Sequence, residues 1–168
     1  MNASDLKEIQ APLKDKYREQ PDTAIITLKA RGNVGEGISC SVETGRALSE
    51  AGLHPATGGT GLQICSGDML LQALVACAGV TLKAVATAIG VDITEGTVSA
   101  EGDLDFKGTL GVSKEAPVGF KAIRLSFKLQ SNATEEQMAS LSKLTERYCV
   151  VYQTLVKGVG IETHYQQA

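Results

Sequence analysis

The chain has no tryptophan, and only three phenylalanines and four tyrosines among its 168 residues. Proteins that hold single-stranded nucleic acid stack bases on aromatic rings, and those that hold duplexes present a basic surface. Here aromatics are scarce, and sixteen Lys and Arg face nineteen Asp and Glu, a formal net charge of −3. Nucleic acid is not expected as a partner. The only histidines are His54 and His164, and the cysteines (Cys40, Cys65, Cys77 and Cys149) include no closely spaced pair. Structural zinc draws its ligands from such pairs, so no metal is expected, and nothing implies an organic cofactor. The N-terminal MNASDLKEIQ lacks an apolar run, so no secretory leader is expected. A cytoplasmic, reducing location follows, in which four cysteines do not imply a disulfide framework.

The longest apolar stretch, 69–91, has the length of a membrane span. Gln72, Lys83, two threonines and many alanines make it a poor match to hydrocarbon. A buried helix of a soluble protein is expected instead, with no membrane partner. Hydrophobic residues make up 43% of the chain, enough for one domain with a full core.

Residues 4–19 read as a short exposed helix interrupted by Pro12. A β-rich run at 24–28 and an alternating one at 38–42 flank the segment Gly32–Gly37, as in a hairpin. A weak third strand falls at 47–51. The loop HPATGGTG (54–61) precedes a long helix over 68–89. It lacks the GxxxxGK[ST] pattern, so it does not read as a phosphate cradle. In that helix Leu70, Leu74, Cys77, Thr81 and Val85 share a face and alanines cover much of the rest, the pattern of a central element buried all round. Gly90 ends it. Strands follow at 93–105 and 119–129, separated by a turn-rich connection. Thr134 and Gln137 form a T-x-x-Q box opening a last helical region, and Ile161–Tyr165 reads as a closing strand. The order of elements is that of an α+β fold.

Cys77 lies in the central helix and Cys149 in the last one. Spacing alone does not decide whether they meet. A reactive cysteine needs a positive neighbour or a helix N-terminus to become a thiolate. Cys77 is mid-helix, so Arg31 and Arg46, near the first strands, are the candidate cations; each also reads as a solvated surface charge. Cys40 and Cys65 read as buried thiols without chemistry, and His54 and His164 as surface residues.

The segments GDMLLQALVACAGVTLKAVATAIG (67–90) and LTERYCVVYQTL (144–155), with EGDLDFKGTLG and GFKAIRLSF between them, resemble the OsmC/Ohr family of thiol-dependent hydroperoxide reductases. The resemblance covers roughly 24–166. It implies an N-terminal helical extension (1–23) and an OsmC-like domain (24–168), in which two central helices are wrapped by antiparallel sheets in an intertwined homodimer. It implies that Cys77 is the peroxidatic cysteine, Cys149 the resolving one and Arg31 the activating cation. Leu70 and Leu74 would line the substrate site, with Val85 and Phe120. The substrate would be an organic hydroperoxide, and a dithiol of lipoyl or similar type the reductant. The family places an acidic residue ten positions before the peroxidatic cysteine; here that position is Gly67, and Asp68, one residue later, is the candidate substitute at the substrate site. The family often has proline after its second cysteine; here Val150 follows Cys149, so the helix is expected to run on through Cys149. Two other functions suit the same fold: a non-catalytic protein holding an apolar ligand at the dimer interface, and a thiol redox sensor.

Overall fold

The structure, a computed structural model, describes residues 3–34, 40–42, 51–62 and 64–167. A sheet of four antiparallel strands forms one layer, in the order β2 (Cys40–Val42), β1 (Ile25–Val34), β5 (Ile93–Asp105), β6 (Phe120–Ser131). Ile25 pairs with Asp105 and Asn33 with Thr97, while Gly96 pairs with Leu129 and Gly102 with Ile123. Strands β1 and β2 form the expected hairpin, Val34 opposite Cys40, but β1 runs on through Gly32–Val34, which the sequence reading assigns to the loop; the connection at 35–39 lies outside the described residues. So do residues 43–50, and with them most of the weak third strand, although Ala51–Gly52 forms a short β3. It pairs in parallel with β4 (Ile64–Cys65), setting Gly52 beside Cys65.

The second layer is helical. α2 (Ser66–Ala88) lies across β1 and β5, with α4 (Glu135–Tyr148) and α5 (Val150–Lys157) packed on it. Alternation along β5 turns Val98 and Ala100 inward, where they meet Leu71, Leu74, Val75 and Ala78 of α2. A second cluster joins Leu82, Val85 and Ala86 to Val91, Ile93 and Leu141. α2 ends where sequence predicts: Gly90 takes φ +72° and the Val91 N–H closes on the Ala86 carbonyl at 2.9 Å, a left-handed stop available to glycine at little cost. At the start of α4, Thr134 Oγ1 accepts from the Gln137 N–H and Gln137 Oε1 accepts from the Thr134 N–H, the reciprocal box that spelled T-x-x-Q.

Four expectations need correction. The first helix, α1 (Ala3–Glu19), runs unbroken through Pro12. Proline removes one hydrogen bond there, but Pro12 is exposed, and Leu13 and the buried Tyr17 anchor the helix to the core. The connection after β5 is partly ordered as α3 (Phe106–Thr109), whose Phe106 is buried. Residues 161–165 form no strand: the segment after Gly158 meets no strand edge among the described residues, and Ile161 and Tyr165 stay exposed. Finally, α2 is not buried all round. By length and hydropathy α2 could cross a membrane, yet one face packs on the sheet and α4, while Leu70, Ala73, Val80 and Thr87 on the other stay exposed.

Candidate active site

The helix expected to continue through Cys149 stops at Tyr148. Cys149 takes an extended conformation, φ −71° and ψ 108°, capping α4 and opening α5 as its N-cap. Its own N–H still closes on the Thr145 carbonyl at 3.0 Å, and its carbonyl accepts from Gln153 at 2.9 Å. The chain thus turns at one residue without losing those bonds. The turn aims the first N–H groups of α5 outward, and every α-helix leaves such groups without intrahelical partners.

Those groups meet Cys77. Burial pushes the Cys77 thiol up, but the neighbouring Val151 amide, Cys149 thiol, Val150 amide and Thr81 hydroxyl each favour its thiolate, and together they hold it below the ordinary cysteine value. A thiolate is thereby stabilised mid-helix by the positive end of a different helix. Cys149 goes the other way. Burial, and then the hydrogen bond and charge of Cys77, push it up to about 11, against the Tyr152 and Val151 N–H groups. Both are free thiols. Cys77 is half-buried and Cys149 only 1% exposed, so the lower-pKa sulfur is also the one a reagent reaches first.

Two hollows open on the elements that carry this pair, although neither is lined by Cys77 or Cys149. One, of about 340 Å³, runs beneath Leu74 between β6 (Ile123, Leu125, Phe127) and α5 (Tyr152, Leu155). Leu74 stands one helical turn before Cys77, and Ser142 and Glu146 line the same hollow. The other, of about 390 Å³, opens at the head of α2 and is lined by Leu70, His54, Cys65 and Phe106, among others. Leu70 and Leu74 therefore both line hollows, but different ones. Asp68, in the first turn of α2, lies near His54; burial raises its carboxyl and the His54 charge lowers it less. Arg31 lies in β1 opposite Ser99, on the sheet that carries α2. Arg46 falls outside the described residues.

His54, read as a surface residue, is half-buried. Its Nδ1 accepts from the Ala56 N–H at 3.0 Å, and its ring stacks on Phe106 with centroids 5.0 Å apart. With Nδ1 accepting, the neutral ring carries its proton on Nε2. Burial lowers its pKa more than Asp68 raises it. His164 is exposed, as expected. Sequence reasoning placed Thr81 on the Cys77 face without giving it a role, and it missed the Val150 and Val151 amides, because backbone donors leave no trace in residue type. The Pro-Ala turn after His54, which such a side-chain cap favours, was the one available signal for the histidine.

Comparison with solved structures places the fold. An OsmC-like hydroperoxide resistance protein from Jannaschia sp. CCS1 superposes with a TM-score of 0.61 at 17% identity, over 86% of this chain and 95% of that one. An OsmC-like protein from Mycoplasma pneumoniae gives 0.55 at 18% identity, over 80% and 86%. No curated protein sequence matches significantly. The family model for OsmC-like proteins matches residues 59–164, which include both cysteines and the helices that carry them. The chain belongs to the OsmC-like protein family.

Proposed function

We propose that the protein is a thiol peroxidase that reduces organic hydroperoxides. The observation that carries this reading is the packing of Cys77 against the core cluster that holds Cys149, at the N-terminus of α5, where the neighbouring amides and thiol favour its thiolate. The Cys77 thiolate attacks the terminal peroxide oxygen. The O–O bond breaks, Cys77 becomes a sulfenic acid, and the alkoxide leaves and takes a proton to become an alcohol. The Cys149 thiol, in the same core cluster as Cys77, then displaces the sulfenic oxygen as water and forms the Cys77–Cys149 disulfide. A dithiol of lipoyl or similar type restores both thiols by exchange and is itself oxidised to a disulfide. Arg31 is the proposed cation for the departing alkoxide, and Leu70, Leu74 and Asp68 the proposed lining of the approach. The apolar wall favours an organic peroxide over hydrogen peroxide. The chemistry suits the reducing cytoplasm.

The working form is proposed to be a homodimer joined along α2. Leu70, Ala73, Cys77, Val80, Ala84 and Thr87 recur at 3-4-3-4-3 spacing, a heptad seam of mostly small residues. The seam is exposed or half-buried in the single chain, and exposed apolar stripes of this kind mark association surfaces. It carries Cys77, so substrate would approach beside the second copy.

The test is the rate of thiol loss after mixing with tert-butyl hydroperoxide. Wild type should lose two thiols per chain rapidly. Cys77→Ser should abolish the loss, and Cys149→Ser should accumulate a Cys77 sulfenic acid that dimedone traps. Thiols reacting no faster than free cysteine would refute the peroxidase reading. An apolar compound co-purifying with inert thiols would then favour a binding protein instead.

A further inference from the structure

The hollow between β6 and α5 is walled mostly by apolar side chains, yet one carboxylate intrudes. Glu146, in the last turn of α4, lines it opposite the β6 wall of Ile123, Leu125 and Phe127. It stands three residues before Cys149, and its carbonyl accepts from the Gln153 side chain at 2.8 Å. That bond ties the end of α4 to α5 and fixes the backbone from which the carboxylate projects. Glu146 is the one Asp, Glu, Lys or Arg among the described residues that line the hollow. Among the described residues it makes no ion pair. The cations next to it in the chain serve elsewhere: neither Lys143 nor Arg147 lines the hollow, and the Arg147 guanidinium lies over the Tyr148 ring at 5.4 Å. A carboxylate in the last turn of a helix also opposes the helix dipole. Helix stability therefore does not account for this residue.

We infer that Glu146 sets the substrate class of the site: organic hydroperoxides without negative charge, in preference to those that carry a carboxylate. The inference rests on the peroxidase reading and on approach through this hollow. A peroxide that reaches Cys77 past Leu74 lays its carbon skeleton along the β6 wall, beside Glu146. A carboxylate on that skeleton meets a like charge, and no described lysine or arginine lines the hollow to offset it. The apolar walls strengthen the repulsion relative to water. The exposure of Glu146 keeps it modest and open to screening by salt. Selection of this kind works by rejecting the wrong ligand and needs no contact with the right one. An uncharged peroxide meets the same apolar walls without that repulsion.

The test compares two peroxides that differ in one charge: cumene hydroperoxide bearing a para-carboxylate, and the methyl ester of that acid. The readout is the second-order rate constant for Cys77 oxidation in the fully reduced chain, so no reductant enters. The ester-to-acid ratio is taken relative to the same ratio with free cysteine. In wild type at low salt it should be about twofold to fivefold, the range of one exposed charge pair. It should shrink toward one in about 1 M sodium chloride, where the Debye length is about 3 Å. Glu146→Gln should bring it to one at low salt, and Glu146→Lys should invert it, with circular dichroism showing the fold retained. The inference alone is overturned if both peroxides oxidise Cys77 rapidly without preference, or with a preference that survives high salt or Glu146→Gln. It is likewise overturned if Asp68→Asn, at the other hollow, removes the preference and Glu146→Gln does not. If neither peroxide oxidises Cys77 faster than free cysteine, the peroxidase reading fails and the inference falls with it.

Discussion

Replacing Val150 with proline tests the origin of the Cys77 thiolate with one missing hydrogen. Val150 is the first residue of α5, where proline is favoured because its absent N–H has no intrahelical role. Cys149 before it already holds the extended conformation that a residue preceding proline requires, ψ 108°. The helix should therefore form unchanged, and the lost conformational freedom of the unfolded chain should leave stability equal or slightly higher. What disappears is one amide donor to the Cys77 sulfur. A hydrogen bond to a charged group is worth about 1.5–3 kcal/mol, or roughly one to two pH units. The Val151 amide, the Cys149 thiol and the Thr81 hydroxyl remain, so the lower figure is expected. The assay is the pH profile of iodoacetamide alkylation, read at Cys77 by peptide mass so that the other cysteines do not interfere. The midpoint should rise by about one unit. Below both midpoints the rate should fall only about threefold to fourfold, because the more basic thiolate is intrinsically more nucleophilic. A midpoint that moves by less than about 0.3 unit, in a variant with unchanged circular dichroism, would refute the claim that the α5 N-terminus sets this pKa.

Three further outcomes are expected. Thr145→Val should raise the stability of the protein by about 1 kcal/mol, since it removes a buried hydroxyl that bonds to nothing; a loss in a urea titration would contradict that. Tyr17→Phe deletes the 2.5 Å bond from the Tyr17 hydroxyl to the Ala56 carbonyl, by which α1 holds the turn after His54. It should cost about 1 kcal/mol, lowering Tm by roughly 2–4 °C, with faster amide exchange at 54–58; unchanged exchange would show that α1 does not restrain the turn. His54 has a folded-state pKa below its unfolded value of 6.5, so its contribution to stability is complete above about pH 6.5 and is lost as pH falls through the folded value. His54→Phe should flatten that acid limb of the stability curve, and a limb identical to wild type would rule the histidine out as its source.

Local chemistry written into the residues was legible. The strand at 93–105, the glycine stop at Gly90 and the Thr134–Gln137 box were read correctly because each rests on side chains a few positions apart. The break at Cys149 was not, because Val150-Val151 carries no proline or glycine to announce it. The interruption is visible only in three dimensions, where the freed amides meet Cys77. The same holds for α2: its run of apolar and small residues reads as buried on every side, yet the single chain covers only one face, and the heptad seam through Cys77 is left for another surface. The unbroken α1 shows packing overriding a local breaker, as Tyr17 and Leu13 hold a helix that Pro12 weakens. Leu70 and Leu74 fall on one helical face by spacing, but they serve separate hollows because α5 and the turn at His54 approach α2 at different heights.

The most direct test of the account is disulfide mapping after one equivalent of tert-butyl hydroperoxide is added to the fully reduced protein. The account predicts a Cys77–Cys149 disulfide as the dominant product, formed within a chain, with Cys40 and Cys65 still alkylatable. Thiols left reduced, or bridges that pass Cys77 by, would contradict it.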